Sequence, residues 1–326
     1  MTIDSSKIDS PQFDAHVLNA CWFLAGPTAC GKSAVGCELA EILGAEIVAL
    51  DSMSLYRGMD IGTAKPDSAQ RARVPHHLID ILEPHQEFSL ADYVHGAAQA
   101  AREIIERGRV PLFVGGTGLY LRGVLRGVFG GPAADWDLRR ELEAQAVRDG
   151  NAAVHARLAR VDPVLAARLA PGDLRRIIRG IEVYELTGSP LSGQQRQGPV
   201  PEELRPRHVY WLHPPRDWLH ERINRRVEAM FRDGLVSEVE RLLAHEKPLG
   251  KSARQALGYK EVIDGLAGGS SQREMEALIQ VRTRQFAKRQ HTWFRNLSEC
   301  TALEISGSDS PREIATLVHQ AADPDR

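Results

Sequence analysis

The residues with the clearest chemical potential form the segment Gly26–Ser33, whose sequence GPTACGKS matches the phosphate-binding pattern G-x-x-x-x-G-K-[ST]. In this pattern consecutive backbone N–H groups surround a phosphate, the lysine adds a positive charge and the final hydroxyl can bind Mg²⁺. The segment predicts a polyphosphate site with Ser33 as the metal ligand, made by Gly26, Pro27, Thr28, Ala29, Cys30, Gly31, Lys32 and Ser33.

The sequence on either side of this segment supplies the elements that a phosphate loop needs. Residues 21–25 are an apolar run of strand length, and apolar residues then recur at helical spacing from Val35 to Leu43, before Gly44 in a typical C-cap position. A helix that begins here directs its unpaired N–H groups and positive dipole end at the anion. The alternative, a plain glycine-rich turn, does not require Lys32 followed by Ser33.

Two further predicted strands end in residues suited to chemistry. Residues 45–50 have the character of a buried parallel strand and are followed by Asp51, whereas residues 110–114 are followed by two glycines and Thr117. Ligands of open α/β sheets bind beyond the carboxyl ends of the strands, so both residues are expected near the phosphate site. A turn or capping role is the alternative for each.

Strands alternate with helices along the chain, which predicts an α/β fold: a P-loop NTPase-like core, with a parallel sheet flanked by helices, plus a helical insertion domain. The insertion is rich in alanine, leucine and arginine, and a polar linker ends it, as expected for a lid. The predicted boundaries are 17–131 for the first part of the core, 132–203 for the insertion, 204–300 for the remaining core with its basic helices, and 1–16 and 301–326 for flexible termini.

Two later helical segments carry basic residues. Arg222 and Arg226 lie four residues apart, on one helical face, and can jointly bind a dianion; a solvated charged face is the alternative. Residues 282–295 contain no acidic residue, and their cationic stripe with Phe286 and Trp293 alongside fits an RNA backbone with unstacked bases. Core packing is the alternative for the two aromatic residues.

Composition and length limit the class of protein. The 326 residues include no apolar run of about eighteen, so no membrane helix is expected, and the first residues lack the layout of a signal peptide. The four cysteines have no zinc or disulfide spacing, which is typical of reduced thiols in the cytoplasm. We expect a cytoplasmic monomer, and the net charge of -2 gives no global indication of nucleic acid.

The residues alone leave three functions open. A phosphate loop with a helical lid fits an ATP-binding kinase for a nucleotide or a small molecule, and an RNA-binding module with a regulatory phosphate site is a further possibility. Two observations weigh against the kinase. Asp51 is the only clear acidic residue at a strand end, and the basic helices exceed what a small acceptor requires.

Taken in order, these motifs resemble the tRNA dimethylallyltransferase family, also called tRNA isopentenyl transferases. The similarity covers nearly everything from Val17 to about Arg295. Its motifs are GPTACGKS at 26–33, DSMSLYRGMDIGTAKP at 51–66, PHHLID at 75–80, VGGTGLY at 114–120, DP at 162–163, RIIRGIEV at 176–183, GY at 258–259 and AKRQHTWFR at 287–295.

The resemblance implies transfer of a dimethylallyl group from dimethylallyl diphosphate to the exocyclic amine of the adenosine 3′-adjacent to the anticodon, with Mg²⁺ and release of diphosphate. A stacked base cannot reach a buried donor, so the target base is expected to be flipped out of the anticodon stem-loop. Asp51 would act as general base, Lys32, Arg222 and Arg226 would stabilise the diphosphate, and Thr117 and Arg139 would lie near the reacting groups. The implied tRNA contacts are Asp51, Ser52, Met53, Ser54, Arg175, Arg176, Ile177, Ile178, Arg179, Lys288 and Arg289.

Overall fold

The structure, a computed structural model, describes residues 13–195 and 197–322. Within these ranges the chain forms two units: a core that extends to Gly127 and resumes at Pro199, and an insert from Val128 to Gly198. The sequence predicts the insert at 132–203. Of the flexible N-terminus predicted at 1–16, residues 1–12 lie outside the described residues, and a helix begins within the remainder at Ala15.

The first part of the core supplies four of the six strands of its sheet. Its elements are α1 (Ala15–Ala20), β1 (Trp22–Ala25), α2 (Lys32–Leu43), β2 (Ala45–Ala49), α3 (Ser68–Arg73), β3 (His76–His77), α4 (Leu90–Glu106), β4 (Val110–Gly115) and α5 (Gly118–Arg126). The predicted C-cap of α2 is confirmed, because Gly44 adopts a left-handed conformation with a φ of 62°. Ser89 begins α4 with a capping box.

The regular elements of the insert are all helices in the residues that the structure describes. It contains α6 (Trp136–Asp149), α7 (Asn151–Val161), α8 (Pro163–Ala166), α9 (Leu174–Thr187) and α10 (Leu191–Gln194). Its own apolar core includes Leu142, Val154, Leu158 and Ile181, all fully buried. The helices therefore have the amphipathic pattern of a packed helical unit rather than of isolated surface helices.

The remaining core completes the sheet and adds the basic helices. After a short 3₁₀ turn at Glu202–Leu204, its elements are β5 (His208–His213), α11 (Arg216–Arg232), α12 (Leu235–Leu243), α13 (Lys251–Arg254), α14 (Tyr259–Gly268), α15 (Gln272–Arg295), β6 (Thr301–Glu304) and α16 (Pro311–Gln320). No helix in the described ranges is both long enough and apolar enough to span a membrane.

The sheet has the order β3-β2-β4-β1-β5-β6, and each pair of neighbouring strands is parallel. The central strand β1 pairs Ala25 with Gly115 of β4, and β2 pairs Ala49 with Val114 of the same strand. The loops that follow β1, β2 and β4 therefore leave the sheet at one edge. This register brings the phosphate loop, Asp51 and Thr117 to the same end of the core, as expected for an open α/β sheet.

The sequence-based assignment of residues 301–326 to a flexible terminus is wrong for the part that the structure describes. β6 pairs with β5, and α16 places Ile314, Ala315 and Val318 in the core cluster that also contains residues of α2. The signals were a Ser310–Pro311 helix start with a capping box and apolar residues four positions apart. Four-residue β6 is largely exposed, and it has too little apolar periodicity to be recognised in advance.

Truncation of Val318 tests whether α16 is part of the folded core. Val318 is fully buried, so Val318→Ala should lower the free energy of unfolding by about 1–3 kcal/mol through lost contacts and a residual cavity. Its neighbour Leu317 is 41% exposed, and Leu317→Ala is the matched control, expected within about 0.5 kcal/mol of the parent. Equal denaturation midpoints for both variants and the parent would contradict this packing.

Candidate active site

The phosphate loop connects β1 to α2 through two left-handed residues. Ala29 has a φ of 64° and Gly31 a φ of 93°. Gly31 is also the N-cap of α2, and it has no side chain to occupy the first N–H groups of the helix. The loop and the helix N-terminus thus offer backbone donors to an anion, which is the arrangement that the sequence predicted.

Cys30 fills the inside of the loop. Its side chain is almost fully buried, and a Cβ added at Gly26 would lie 2.8 Å from the Cys30 sulfur, so only glycine fits at that position. Burial raises the pKa of the Cys30 thiol. The thiol therefore stays protonated and packs as a small apolar group.

Two arginines of α11 contact the outside of the phosphate loop. Arg222 donates from Nε to the carbonyl oxygen of Ala29 over 2.9 Å, and Arg226 donates from Nη1 to the Thr28 hydroxyl over 3.3 Å. Arg226 also donates from Nη2 to the Thr63 carbonyl over 3.4 Å. Their spacing of four residues places both on one face of α11, so the predicted pair is brought together at the predicted loop.

The positive charges at this loop are partly withdrawn from water. Burial lowers the pKa of Lys32 and of Arg226, and the charge of Asp51 opposes both shifts. Among the described residues, Nε of Arg226 is buried without a hydrogen-bond partner. Buried cations that lack full compensation favour an anionic ligand, because the ligand restores the electrostatic balance.

Thr117 is hydrogen-bonded to the two neighbours of Asp51 in the chain. The Thr117 hydroxyl accepts from the Ser52 N–H over 3.1 Å, and the Thr117 N–H donates to the Leu50 carbonyl over 3.1 Å. Asp51 Oδ1 accepts from the Met53 N–H over 2.9 Å. The segment after β2 and the turn after β4 therefore form one unit, with a carboxylate beside the phosphate loop.

Close packing behind this unit depends on a glycine and a pair of tyrosines. A Cβ at Gly115 would lie 2.1 Å from the Leu50 carbonyl oxygen, so the two strand ends approach as closely as backbone allows. Tyr93 donates its hydroxyl proton to the Ala49 carbonyl over 2.9 Å and stacks on Tyr120 at 3.8 Å. These contacts hold the end of β2, which Asp51 follows, in a fixed position.

Among the predicted tRNA contacts next to Asp51, Ser54 is the one that the structure turns inward. Ser54 is only 6% exposed and donates its hydroxyl proton to the Asp51 carbonyl over 3.1 Å. Ser54 therefore stabilises the turn, and its contact with RNA stays a prediction. Ser52 and Met53 are half-buried in the same turn.

The predicted residues of the insert divide into exposed and buried ones. Arg175 and Arg176 are exposed on α9, whereas Ile177 and Ile178 are buried in the core of the insert. The structure contradicts a side-chain contact with RNA for the two isoleucines, because the helical period turns them away from the arginine surface. Arg179 donates to the Glu182 carboxylate and to the Pro132 carbonyl.

Arg139 lies within an ion pair of the insert. Its guanidinium donates two hydrogen bonds of 2.8 Å to Glu182, whose side chain is fully buried. Burial raises the pKa of Glu182, and the hydrogen bonds from Arg139 and Arg179 outweigh it, so the net shift is downward. This arrangement stabilises the insert; the catalytic role of Arg139 stays a prediction.

The basic residues of α15 are on the surface of the core. Lys288 and Arg289 are exposed, and the Arg289 guanidinium lies 5.7 Å from the centroid of the Phe286 ring. Trp293 is 38% exposed and covers Gly118, where an added Cβ would be 2.8 Å from its side chain. The charges of Lys288 and Arg289 are therefore available to a polyanion. Trp293 packs on Gly118 and keeps part of its side chain exposed to solvent.

Comparison with known proteins decides the family. A model described as IPP transferase matches residues 54–297. The chain belongs to the IPP transferase family. A relative in Rhodopirellula baltica named tRNA dimethylallyltransferase is 44% identical over 313 residues, which cover 94% of this chain and 92% of that protein.

Solved structures of IPP transferases share the fold. A tRNA isopentenylpyrophosphate transferase from Bacillus halodurans aligns with a TM-score of 0.67 and 39% identity over 94% of this chain and 97% of that one. A eukaryotic dimethylallyltransferase described as acting on tRNA aligns with a TM-score of 0.71 and 25% identity over 88% and 74%. The P-loop NTPase-like fold is thereby confirmed, and the kinase alternative is not favoured.

One site residue of this IPP transferase was missed by the sequence analysis. Gln290, on α15, accepts from the Thr28 N–H at Oε1 and donates from Nε2 to the Gly116 carbonyl, each over 2.8 Å. It therefore joins the phosphate loop to the turn that carries Thr117. The available signal was a polar residue at a position of α15 that the helical period places on the buried face, between Ala287 and Phe294.

Removal of the Gln290 amide should loosen the phosphate loop. In Gln290→Met the Thr28 N–H and the Gly116 carbonyl lose their partners, at a cost of about 1–3 kcal/mol each in a buried place. We expect roughly tenfold weaker binding of inorganic pyrophosphate by calorimetry in the presence of Mg²⁺. Gln285→Met, at an exposed position of the same helix, should bind as the parent does; unchanged binding by Gln290→Met would remove Gln290 from the site.

Proposed function

We propose that this chain is a tRNA dimethylallyltransferase that transfers the dimethylallyl group of dimethylallyl diphosphate to the exocyclic amine of the adenosine 3′-adjacent to the anticodon. The observation that carries the proposal is the juxtaposition of a phosphate loop, contacted by Arg222 and Arg226 and containing Lys32, with the Asp51 carboxylate, whose neighbour Ser52 is hydrogen-bonded to Thr117. The name of the Rhodopirellula relative supports the same activity.

The reaction requires an alkyl transfer rather than a phosphoryl transfer. The amine nitrogen attacks C1 of the dimethylallyl group, the bond from C1 to the diphosphate oxygen breaks, and its electron pair leaves with the diphosphate. The nitrogen becomes positively charged as the new bond forms, and Asp51 accepts its proton. Asp51 lies at the end of β2, where its own turn already binds Oδ1, so its carboxylate is oriented before the substrate arrives.

Negative charge develops on the diphosphate as it leaves. Lys32 and Arg226 are partly withdrawn from water, which strengthens their interaction with that charge, and the loop N–H groups add oriented donors. Arg222 is more exposed and adds a further charge at the rim. Diphosphate has the same anionic groups as the end of a nucleotide, which accounts for a nucleotide-type motif in an enzyme that releases diphosphate.

Mg²⁺ is proposed as the cofactor, with Ser33 as its protein ligand. The described residues contain no group of three or more histidine, cysteine, aspartate or glutamate side chains that could hold a metal ion. Mg²⁺ commonly uses one or two protein oxygens together with substrate phosphates, so a single hydroxyl at the start of α2 fits this ion. Bound there, it would neutralise diphosphate charge.

We propose the anticodon stem-loop of tRNA as the second substrate. Exposed arginines on α9 and the exposed Lys288 and Arg289 on α15 can contact phosphates, which supply much of the affinity of RNA-binding surfaces. The core contains the loop, Asp51, Thr117 and both arginines of α11 in one chain, which supports action as a monomer. Its cysteine pattern supports the cytoplasm.

Transfer of a labelled prenyl group tests the proposed function. The protein is incubated with unmodified tRNA, Mg²⁺ and dimethylallyl diphosphate labelled in the prenyl group, and RNA is isolated and counted. We expect label in the adenosine next to the anticodon, and no requirement for ATP. Unlabelled RNA together with consumption of ATP would contradict the proposal and favour the alternative function, an ATP-binding kinase.

Substitution of Asp51 tests the role of the carboxylate. Asp51→Asn keeps the shape and the Oδ1 contact but cannot accept the proton, so kcat should fall by about 10²–10⁴-fold. The Kd for tRNA, measured by filter binding, should change less than about threefold, and Asp309→Asn in a surface turn should behave as the parent. Near-normal turnover with lost tRNA binding would make Asp51 a binding residue instead.

A further inference from the structure

A buried carboxylate outside the proposed chemistry anchors a loop of the core. Glu238 on α12 is only 3% exposed. Its two oxygens accept from the N–H groups of Asp60 (3.1 Å), Ile61 (2.9 Å) and Gly62 (3.4 Å), and from the Tyr259 hydroxyl over 2.5 Å. A carboxylate withdrawn from water is tolerated when it is satisfied in this way.

The anchored loop is pressed against the Tyr259 ring. A Cβ added at Gly62 would lie 2.4 Å from a ring carbon, so the backbone itself packs on the aromatic face. Tyr259 is fully buried, and burial together with the Glu238 charge raises the pKa of its hydroxyl. The hydroxyl therefore remains a donor to Glu238, and loop position is fixed by both a contact and hydrogen bonds.

The loop continues directly into the phosphate site. Thr63 follows Gly62, and its carbonyl accepts from Nη2 of Arg226. The same guanidinium donates from Nη1 to the Thr28 hydroxyl in the phosphate loop. Thr63 is itself held, because its hydroxyl donates to the Met59 carbonyl over 2.6 Å. A continuous series of contacts thus leads from Tyr259 through Glu238 and Thr63 to Arg226.

The orientation of Arg226 depends on this series. Its two hydrogen bonds are long, at 3.3 and 3.4 Å, and its Nε has no partner among the described residues, so few contacts restrain the guanidinium. A displacement of the Thr63 carbonyl would remove one of them. Small misplacements of a group that stabilises a leaving group reduce its effect strongly.

We infer that Glu238 is a positioning residue for the diphosphate donor: through residues 60–63 it orients Arg226 toward the anion at the phosphate loop. The inference deepens the proposed function and rests on it. It assigns Glu238 no contact with either substrate. Its effect is therefore expected on the donor side of the reaction and not on tRNA binding.

Glu238→Gln is the direct test. The amide is nearly the same size, but its NH₂ group cannot accept from the loop N–H groups, so the loop must shift. We expect the KM for dimethylallyl diphosphate and the Kd for inorganic pyrophosphate to rise about tenfold, while the KM for tRNA stays within about twofold. Glu240→Gln, at an exposed position of the same helix, is the matched control and should equal the parent in all three values.

Tyr259→Phe keeps the ring against Gly62 and removes only the hydroxyl, so it should change the same two donor parameters in the same direction but less. Thermal unfolding of each variant shows whether it is folded. If Glu238→Gln does not fold, the donor KM and the pyrophosphate Kd of Tyr259→Phe test the inference. Because both residues act on one loop, the double variant should be non-additive.

Two outcomes would overturn the inference. In the first, the variants fold with reduced stability but keep the parent's KM for dimethylallyl diphosphate and Kd for pyrophosphate, which would make Glu238 purely structural. The other is an equal rise of the donor and tRNA KM values. Failure of the parent protein to prenylate tRNA would instead count against the proposed function, because pyrophosphate binding is measured without RNA and tests the positioning of Arg226 separately.

Discussion

The structure depends on concentrating positive charge around a backbone loop. Lys32 and Arg226 are partly withdrawn from water, which costs free energy unless an anion is bound, and Asp51 compensates them only in part. The loop itself contributes oriented N–H groups that cost no reorganisation when the ligand arrives. This combination favours a ligand with several negative charges, and it makes that ligand a good leaving group.

The other elements hold this charged loop at a fixed place relative to Asp51, the proposed base. The parallel register of β1, β2 and β4 brings three loops to one edge of the sheet, and Gly115 lets two of them touch. Gln290 joins the phosphate loop to the turn of Thr117 from α15. An alkyl transfer needs this spacing, because the attacking nitrogen and the leaving oxygen lie on opposite sides of one carbon.

Much of the core could be predicted because its signals are local. The phosphate loop has a defined spacing, and Asp51 and Thr117 follow recognisable buried strands. Gln290 and Glu238 could not be found in this way, because a polar residue on the buried face of a helix shows only that it needs partners, and those partners lie far away in the sequence.

The errors have a related cause. The family motif implies tRNA contacts for Ile177 and Ile178, although the helical period turns both side chains into the core of the insert. The segment 301–326 is predicted as a flexible terminus because a short exposed strand leaves little pattern, yet α16 packs through Ile314 and Val318. In both cases packing, and not the motif or the position in the chain, decides what a side chain can contact.

The fate of a doubly labelled donor tests most directly whether the loop holds a leaving group. Dimethylallyl diphosphate labelled in both the prenyl group and the phosphorus atoms is mixed with excess protein and unmodified tRNA for a single turnover. The charge arrangement predicts that the prenyl label enters RNA while the phosphorus label appears only as free diphosphate. Phosphorus label in the RNA, or release of single phosphate with the prenyl group left behind, would contradict it.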